Sequence, residues 1–111
     1  KFDQAFSKIS QITIPPRVKN FKIVYHLYVI FVKNRDKLLN YCKKKGIEAK
    51  VHYPKPMYLQ DSLKFLKHKR GDFPVAERMA NTSMSLPVHE FIKEKDIKNV
   101  ASLIENFYKK N

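Results

Sequence analysis

An imidazole and two phenols stand close together at His52, Tyr53 and Tyr58, with Pro54 and Pro56 among them. Such groups donate and accept hydrogen bonds, and the imidazole can carry a proton near neutral pH. Two prolines within three residues fix the loop backbone at little entropic cost, and a fixed loop is a good place for ligand contacts. The alternative is that His52 and Tyr53 shape the loop by bonding its backbone. No complete catalytic apparatus accompanies them. The four histidines, His26, His52, His68 and His89, lack the spacing of metal ligands and have no cysteine partners. No serine, histidine and aspartate carry a nucleophile-elbow signature. With 2 glycines in the chain, a glycine-rich phosphate loop is excluded. Cys42 has no activating base nearby and reads as a small core residue.

The loop belongs to residues 46–60, GIEAKVHYPKPMYLQ, around which the chain is organised. Gly46 closes a lysine-rich helix, and Ala49, Val51 and Tyr53 alternate with Lys50 and His52 as in a strand that the prolines terminate. The helix before it has Asn34 as its cap, Asp36 in its first turn, Lys43, Lys44 and Lys45 in its last, and Leu38, Leu39 and Cys42 on its buried stripe. Ahead of that helix, residues 24–32 (VYHLYVIFV) give the longest strand signal, apolar at both alternating sets of positions. We read a central strand covered on both sides, the alternative being an aromatic platform on which Tyr28 and Phe31 stack bases.

Outside this centre, residues 2–9 read as the last turns of a helix whose apolar stripe faces a partner outside the chain, followed by a proline-held linker at Ile12, Ile14, Pro15 and Pro16. Beyond the loop, Leu59, Leu63 and Leu66 mark a short amphipathic helix, stopped by a basic run and Gly71. Asp72 caps another helix, with Pro74 in its first turn and Val75, Ala76, Met79 and Ala80 on its buried side. A short strand at Met84 and Leu86 follows, then a helix marked by Ile97, Val100, Leu103, Ile104, Phe107 and Tyr108. The order predicts an α+β fold: a small two-layer domain, helices packed on one face of a three- or four-stranded sheet.

At 111 residues the chain suits one domain, and 43% hydrophobic residues are enough for a modest core. The net charge is +13, with +10 of it in residues 1–55. Such a field attracts polyanions such as nucleic acid, phosphorylated small molecules, an anionic membrane surface or an acidic partner, although lysine-rich solvated surfaces give the same balance. A single cysteine permits no intrachain disulfide and suits a reducing cytoplasm. No apolar run approaches the ~20 residues of a membrane helix. A helical apolar pattern that starts at Phe2 with no capping residue ahead of it predicts a longer parent chain.

Several blocks in order carry a resemblance. They are residues 25–30 (YHLYVI); Asn34-Arg35-Asp36 with Leu38 and Leu39; residues 45–54 (KGIEAKVHYP); residues 71–77 (GDFPVAE); and residues 85–89 (SLPVH). Together they resemble the C-terminal small domain of the DegT/DnrJ/EryC1/StrS aminotransferases, nearest to the branch acting on 3-keto-6-deoxyhexoses. The resemblance implies residues 1–12 as the end of an inter-domain helix and linker, residues 13–111 as the small domain, and a large cofactor-binding domain outside the chain. It implies pyridoxal phosphate, held by that large domain together with its anchoring lysine. It implies ping-pong transfer of an amino group, typically from glutamate, to a keto sugar on a nucleotide, with the fragment inactive alone. The implied setting is a cytoplasmic homodimer engaged neither by membrane nor by nucleic acid. The implied substrate-binding residues are His52, Tyr53, Lys55 and Tyr58, with Lys55 meeting an anionic group. Many members of the family carry histidine where Tyr58 stands, and Leu-Gly-Tyr where this chain has Leu66-Lys67-His68. The competing reading is a basic module that binds nucleic acid or a nucleotide sugar by itself; another is a noncatalytic relative.

Overall fold

In the computed structural model, residues 1–110 are described. The elements are α1 (Phe2–Phe6), β1 (Ile12–Thr13), β2 (Tyr28–Val32), α2 (Arg35–Lys44), α3 (Pro74–Thr82), β3 (Ser83–Leu86) and α4 (Glu94–Lys109), with 3-10 turns at Met57–Leu59 and Asp61–Leu66. The three strands form one antiparallel sheet with β2 in the centre, Ile12 opposite Val32 and Tyr28 opposite Leu86.

Alternation along the strands decides which face is buried. Tyr28, Ile30, Val32, Met84 and Leu86 turn inward and join Phe6, Leu38, Cys42, Ile104 and Phe107 beneath α1, α2 and α4. The expected two-layer α+β domain is therefore present. Across the sheet, Val29 and Phe31 are only half-buried, so β2 is not covered on both sides. The helix α3 borders this second face and leaves part of it open. The aromatic platform also fails, because Tyr28 is 4% exposed and stacked on Phe2 at 4.7 Å.

The helix α2 forms where Leu38 and Cys42, four apart, share one buried stripe. It ends in a paired reverse turn. The Gly46 N–H donates to the Lys43 carbonyl at 3.1 Å, and the Ile47 N–H to the Cys42 carbonyl at 2.9 Å. Gly46 takes φ +74°, the left-handed conformation that this closure requires. Asn34 occupies the cap position without bonding through its side chain, and its carbonyl accepts from the Leu38 N–H. The buried guanidinium of Arg35 instead reaches the carbonyls of Ala80 and Ser83, tying the start of α2 to the α3–β3 junction.

Several expectations change in the structure. The strand predicted over residues 24–32 shrinks to Tyr28–Val32, because β3 ends opposite Tyr28 and Pro87 beyond it has no N–H to continue the ladder. Residues 49–53 form no strand; only Lys50 bridges to Ser85, through bonds of 2.8 and 3.0 Å, before the chain bends at His52. The helix expected through Leu59, Leu63 and Leu66 is two 3-10 turns separated by extended Gln60, since none of its residues is buried against a partner. Asp72 does not cap α3; Phe73 holds that position and the Asp72 carboxylate accepts the Lys69 N–H. The α1 stripe, expected to face a partner outside the chain, is buried within the domain, with Phe2, Phe6 and Ile9 at most 8% exposed. A clasp holds it there: Arg17 donates two 2.8 Å bonds to Asp3, which also accepts the Tyr28 hydroxyl.

Candidate functional site

The open sheet face and the loop after residue 51 enclose a groove of about 540 Å³. Its floor is Val29 and Phe31 of β2 with Ala76, Met79 and Ala80 of α3, and its polar rim is His52, Tyr53, Lys55, Gln60 and Ser83. A neighbouring depression of about 440 Å³ shares Phe31 and Met79 and carries Lys33 and Arg78 on its edge. An apolar floor with a few convergent polar groups is the usual form of a small-molecule site.

The strand signal in residues 24–32 and the proline-fixed loop thus bring three of the four sequence-predicted residues to one groove. His52 directs Nδ1 at the Ser85 hydroxyl, 3.0 Å away, and sets its ring edge-on to Tyr53 at 6.0 Å. Tyr53 is 76% exposed, open to a ligand on the groove side. Lys55 is half exposed, its ammonium 3.7 Å from Asp61. That is a loose surface pair, which leaves the lysine free to meet an anion.

Tyr58 is not brought to the groove. Its hydroxyl donates to Glu77, whose Oε1 also accepts the Gly71 N–H at 2.6 Å, and its ring packs on Phe73 at 4.8 Å. Desolvation and the Glu77 carboxylate push the phenol up to about 12, while the bonds from Tyr58 and Gly71 hold Glu77 below the usual carboxylate range. Tyr58 at this position therefore anchors the 3-10 turns to α3 through a proton that it keeps. His68 completes the cluster, 4.9 Å from Phe73 and 3.4 Å from Asp72.

On the other side of His52 lies a smaller recess of about 240 Å³, lined in part by His26, Glu48, Lys50, Ser85 and His89. Among the described residues no three His, Cys, Asp or Glu converge as metal ligands. Cys42 is fully buried, and burial pushes its thiol up to about 11, in keeping with a core residue. The residues that composition and motif reading passed over are Ser85 and Glu77. The signal for Ser85 was present: Ser83 and Ser85 alternate with apolar Met84 and Leu86, which puts both serines on the Val29 and Phe31 face. Nothing local marks Glu77, whose partners lie 6 and 19 residues away.

The profile of the DegT/DnrJ/EryC1/StrS aminotransferase family matches residues 1–105. The "Pleiotropic regulatory protein" of Geobacillus stearothermophilus is 35% identical over 98 residues, which is 88% of this chain and 26% of that protein. The UDP-2-acetamido-2-deoxy-3-oxo-D-glucuronate aminotransferase of Pseudomonas aeruginosa is 31% identical over 83 residues, 75% of this chain and 22% of that protein. Among solved structures, S. venezuelae DesV in complex with a ketimine intermediate superposes with a TM-score of 0.89 at 23% identity, over 96% of this chain and 29% of that one. The chain thus spans about a quarter of the length of the curated relatives it matches.

Proposed function

The chain belongs to the DegT/DnrJ/EryC1/StrS aminotransferase family, and from that premise we propose that it is the C-terminal small domain of a sugar aminotransferase. In this reading residues 1–12 are the end of an inter-domain helix with its linker, residues 13–111 are the small domain, and a large domain supplies the remainder. The parent enzyme transfers an amino group from glutamate to a keto sugar carried on a nucleotide, a 3-keto-6-deoxyhexose being the first to try. It works in the cytoplasm as a homodimer. The observation that carries the proposal is the family match across residues 1–105.

The family's enzymes depend on pyridoxal phosphate, which supplies an electron sink for amino-group transfer. That group needs an amine for the imine bond, a carboxylate beside the pyridine nitrogen and a cradle for the phosphate. The groove is lined by one lysine, no carboxylate and no glycine, so this chain's residues do not fit the whole cofactor. Their share is to wall the groove and hold the sugar. Phe31 and Met79 offer an apolar floor suited to a deoxy carbon and the C–H face of a sugar ring. His52, Tyr53 and Gln60 offer hydrogen bonds to its hydroxyls, and Lys55 a charge to the anionic carrier. Tyr58 contributes by holding the loop that carries them.

The test is turnover by the full-length parent, loaded with pyridoxal phosphate and given glutamate and nucleotide-linked keto sugars. Appearance of an amino sugar nucleotide and 2-oxoglutarate supports the proposal; a fully loaded parent that transfers no amine to any of them refutes it. The binding-module reading predicts instead that this chain alone binds RNA with steep salt dependence.

A further inference from the structure

We propose that Ser85 is a positioning residue that fixes the tautomer of His52, so that the imidazole presents Nε2–H as a donor to an acceptor oxygen of the groove's ligand. The serine is held on both sides. Its N–H and carbonyl are both taken by Lys50, at 2.8 and 3.0 Å, and across the sheet it pairs with Val29 of β2. With its backbone pinned, the side chain has little freedom to follow a moving ring.

The proton assignment follows from burial. Ser85 is 4% exposed, and among the described residues the hydrogen-bond partner of its hydroxyl is His52 Nδ1 at 3.0 Å. A neutral imidazole has one N–H and one lone pair. If Nδ1 carried the proton, the serine would accept it and its own O–H would have no acceptor among the described residues. If the serine donates to Nδ1, both groups are satisfied and the ring proton sits on Nε2. In the second arrangement the one 3.0 Å contact uses both the serine's O–H and the lone pair of Nδ1. The edge-on contact with Tyr53 supports the ring from another side. Other charged or titratable groups around the recess behind the ring, His26, His89, Glu48 and Lys50, make no hydrogen bond with His52, and Lys50 and Glu48 are paired with each other at 2.7 Å.

The consequence for specificity rests on the reading of the groove as a sugar site: a fixed Nε2–H favours a carbonyl, hydroxyl or phosphate oxygen at that point and rejects a group with only donors. The tautomer itself does not rest on that reading. Long-range 1H–15N correlation spectra of the 111-residue chain, taken at about pH 8 where an ordinary imidazole is neutral, read the ring directly. His52→Gln identifies its signals. The expected result is one tautomer, Nε2–H, for His52 in the wild type and in Ser85→Thr, and the averaged signals of two exchanging tautomers in Ser85→Ala. An Nδ1–H ring in the wild type overturns the inference, as does a ring pattern unchanged between wild type and Ser85→Ala. Should Ser85→Ala not fold, the wild-type and Ser85→Thr spectra decide alone, since Nδ1–H in either sinks the assignment. No substrate enters this measurement, so failure of the aminotransferase proposal shows only in turnover.

Discussion

At the scale of single residues, the strongest electrostatic feature lies away from the groove. The hydrogen bonds from Arg17 hold the Asp3 carboxyl down at about 2, with Tyr28 adding to them and partial burial opposing them. Because the folded value lies below the ordinary ~3.9, the clasp contributes fully above that pH and is lost as pH falls toward 2. The carboxylate side chain is 39% exposed, so solvent screening reduces the contribution to about 1 kcal/mol. Acid titration followed by circular dichroism should show that loss between about pH 4 and 2 in the wild type and a flatter profile in Asp3→Asn. Cys42 makes a second test, because a fully buried thiol pushed up to about 11 should resist alkylation in the folded chain and react on unfolding. Labelling at the wild-type Cys42 under native conditions, at the rate of a free thiol, would contradict the buried placement.

At the scale of elements, the exit from α2 and the clasp on the loop determine where His52, Tyr53 and Lys55 stand. Gly46 has open space where a Cβ would go, so Gly46→Ala costs only the left-handed backbone strain, about 1 kcal/mol, and Gly46→Asn less. Thermal melts of the two variants measure the order; equal loss in both would argue against a backbone origin. The loop hangs on Glu77, which accepts from both Tyr58 and Gly71. Glu77→Ala should leave the buried core intact and speed hydrogen exchange at Gly71 by roughly tenfold, the equivalent of one lost charge-assisted hydrogen bond. Unchanged exchange at Gly71 would show that the aromatic packing of Tyr58, His68 and Phe73 suffices without the carboxylate.

At the scale of the whole molecule, the charge that dominates the composition is spread over a surface, whereas the groove that the fold creates has one lysine on its rim. If the chain is the small domain of a sugar aminotransferase, as proposed, Lys55→Ala in the parent enzyme should raise KM for the nucleotide sugar about tenfold with kcat within about twofold, the signature of lost uniform binding. A fall in kcat at unchanged KM would move Lys55 from holding the carrier to the chemistry itself. The sequence by itself determined the α+β class, α2 with its glycine exit, α4, and a proline-fixed loop carrying His52, Tyr53 and Lys55, because helical periodicity, a left-handed glycine and paired prolines are set by residues near one another in the chain. It also carried the family's blocks in order. Only the tertiary structure decided that β2 is five residues long, that residues 49–53 pair with β3 at one point, and that the α1 stripe is covered from within. It alone turned Tyr58 onto Glu77 and Ser85 onto His52. Those outcomes depend on which partner lies across a sheet or at the end of another helix, and partners 19 and 33 residues apart leave no periodic trace for a local pattern to reveal.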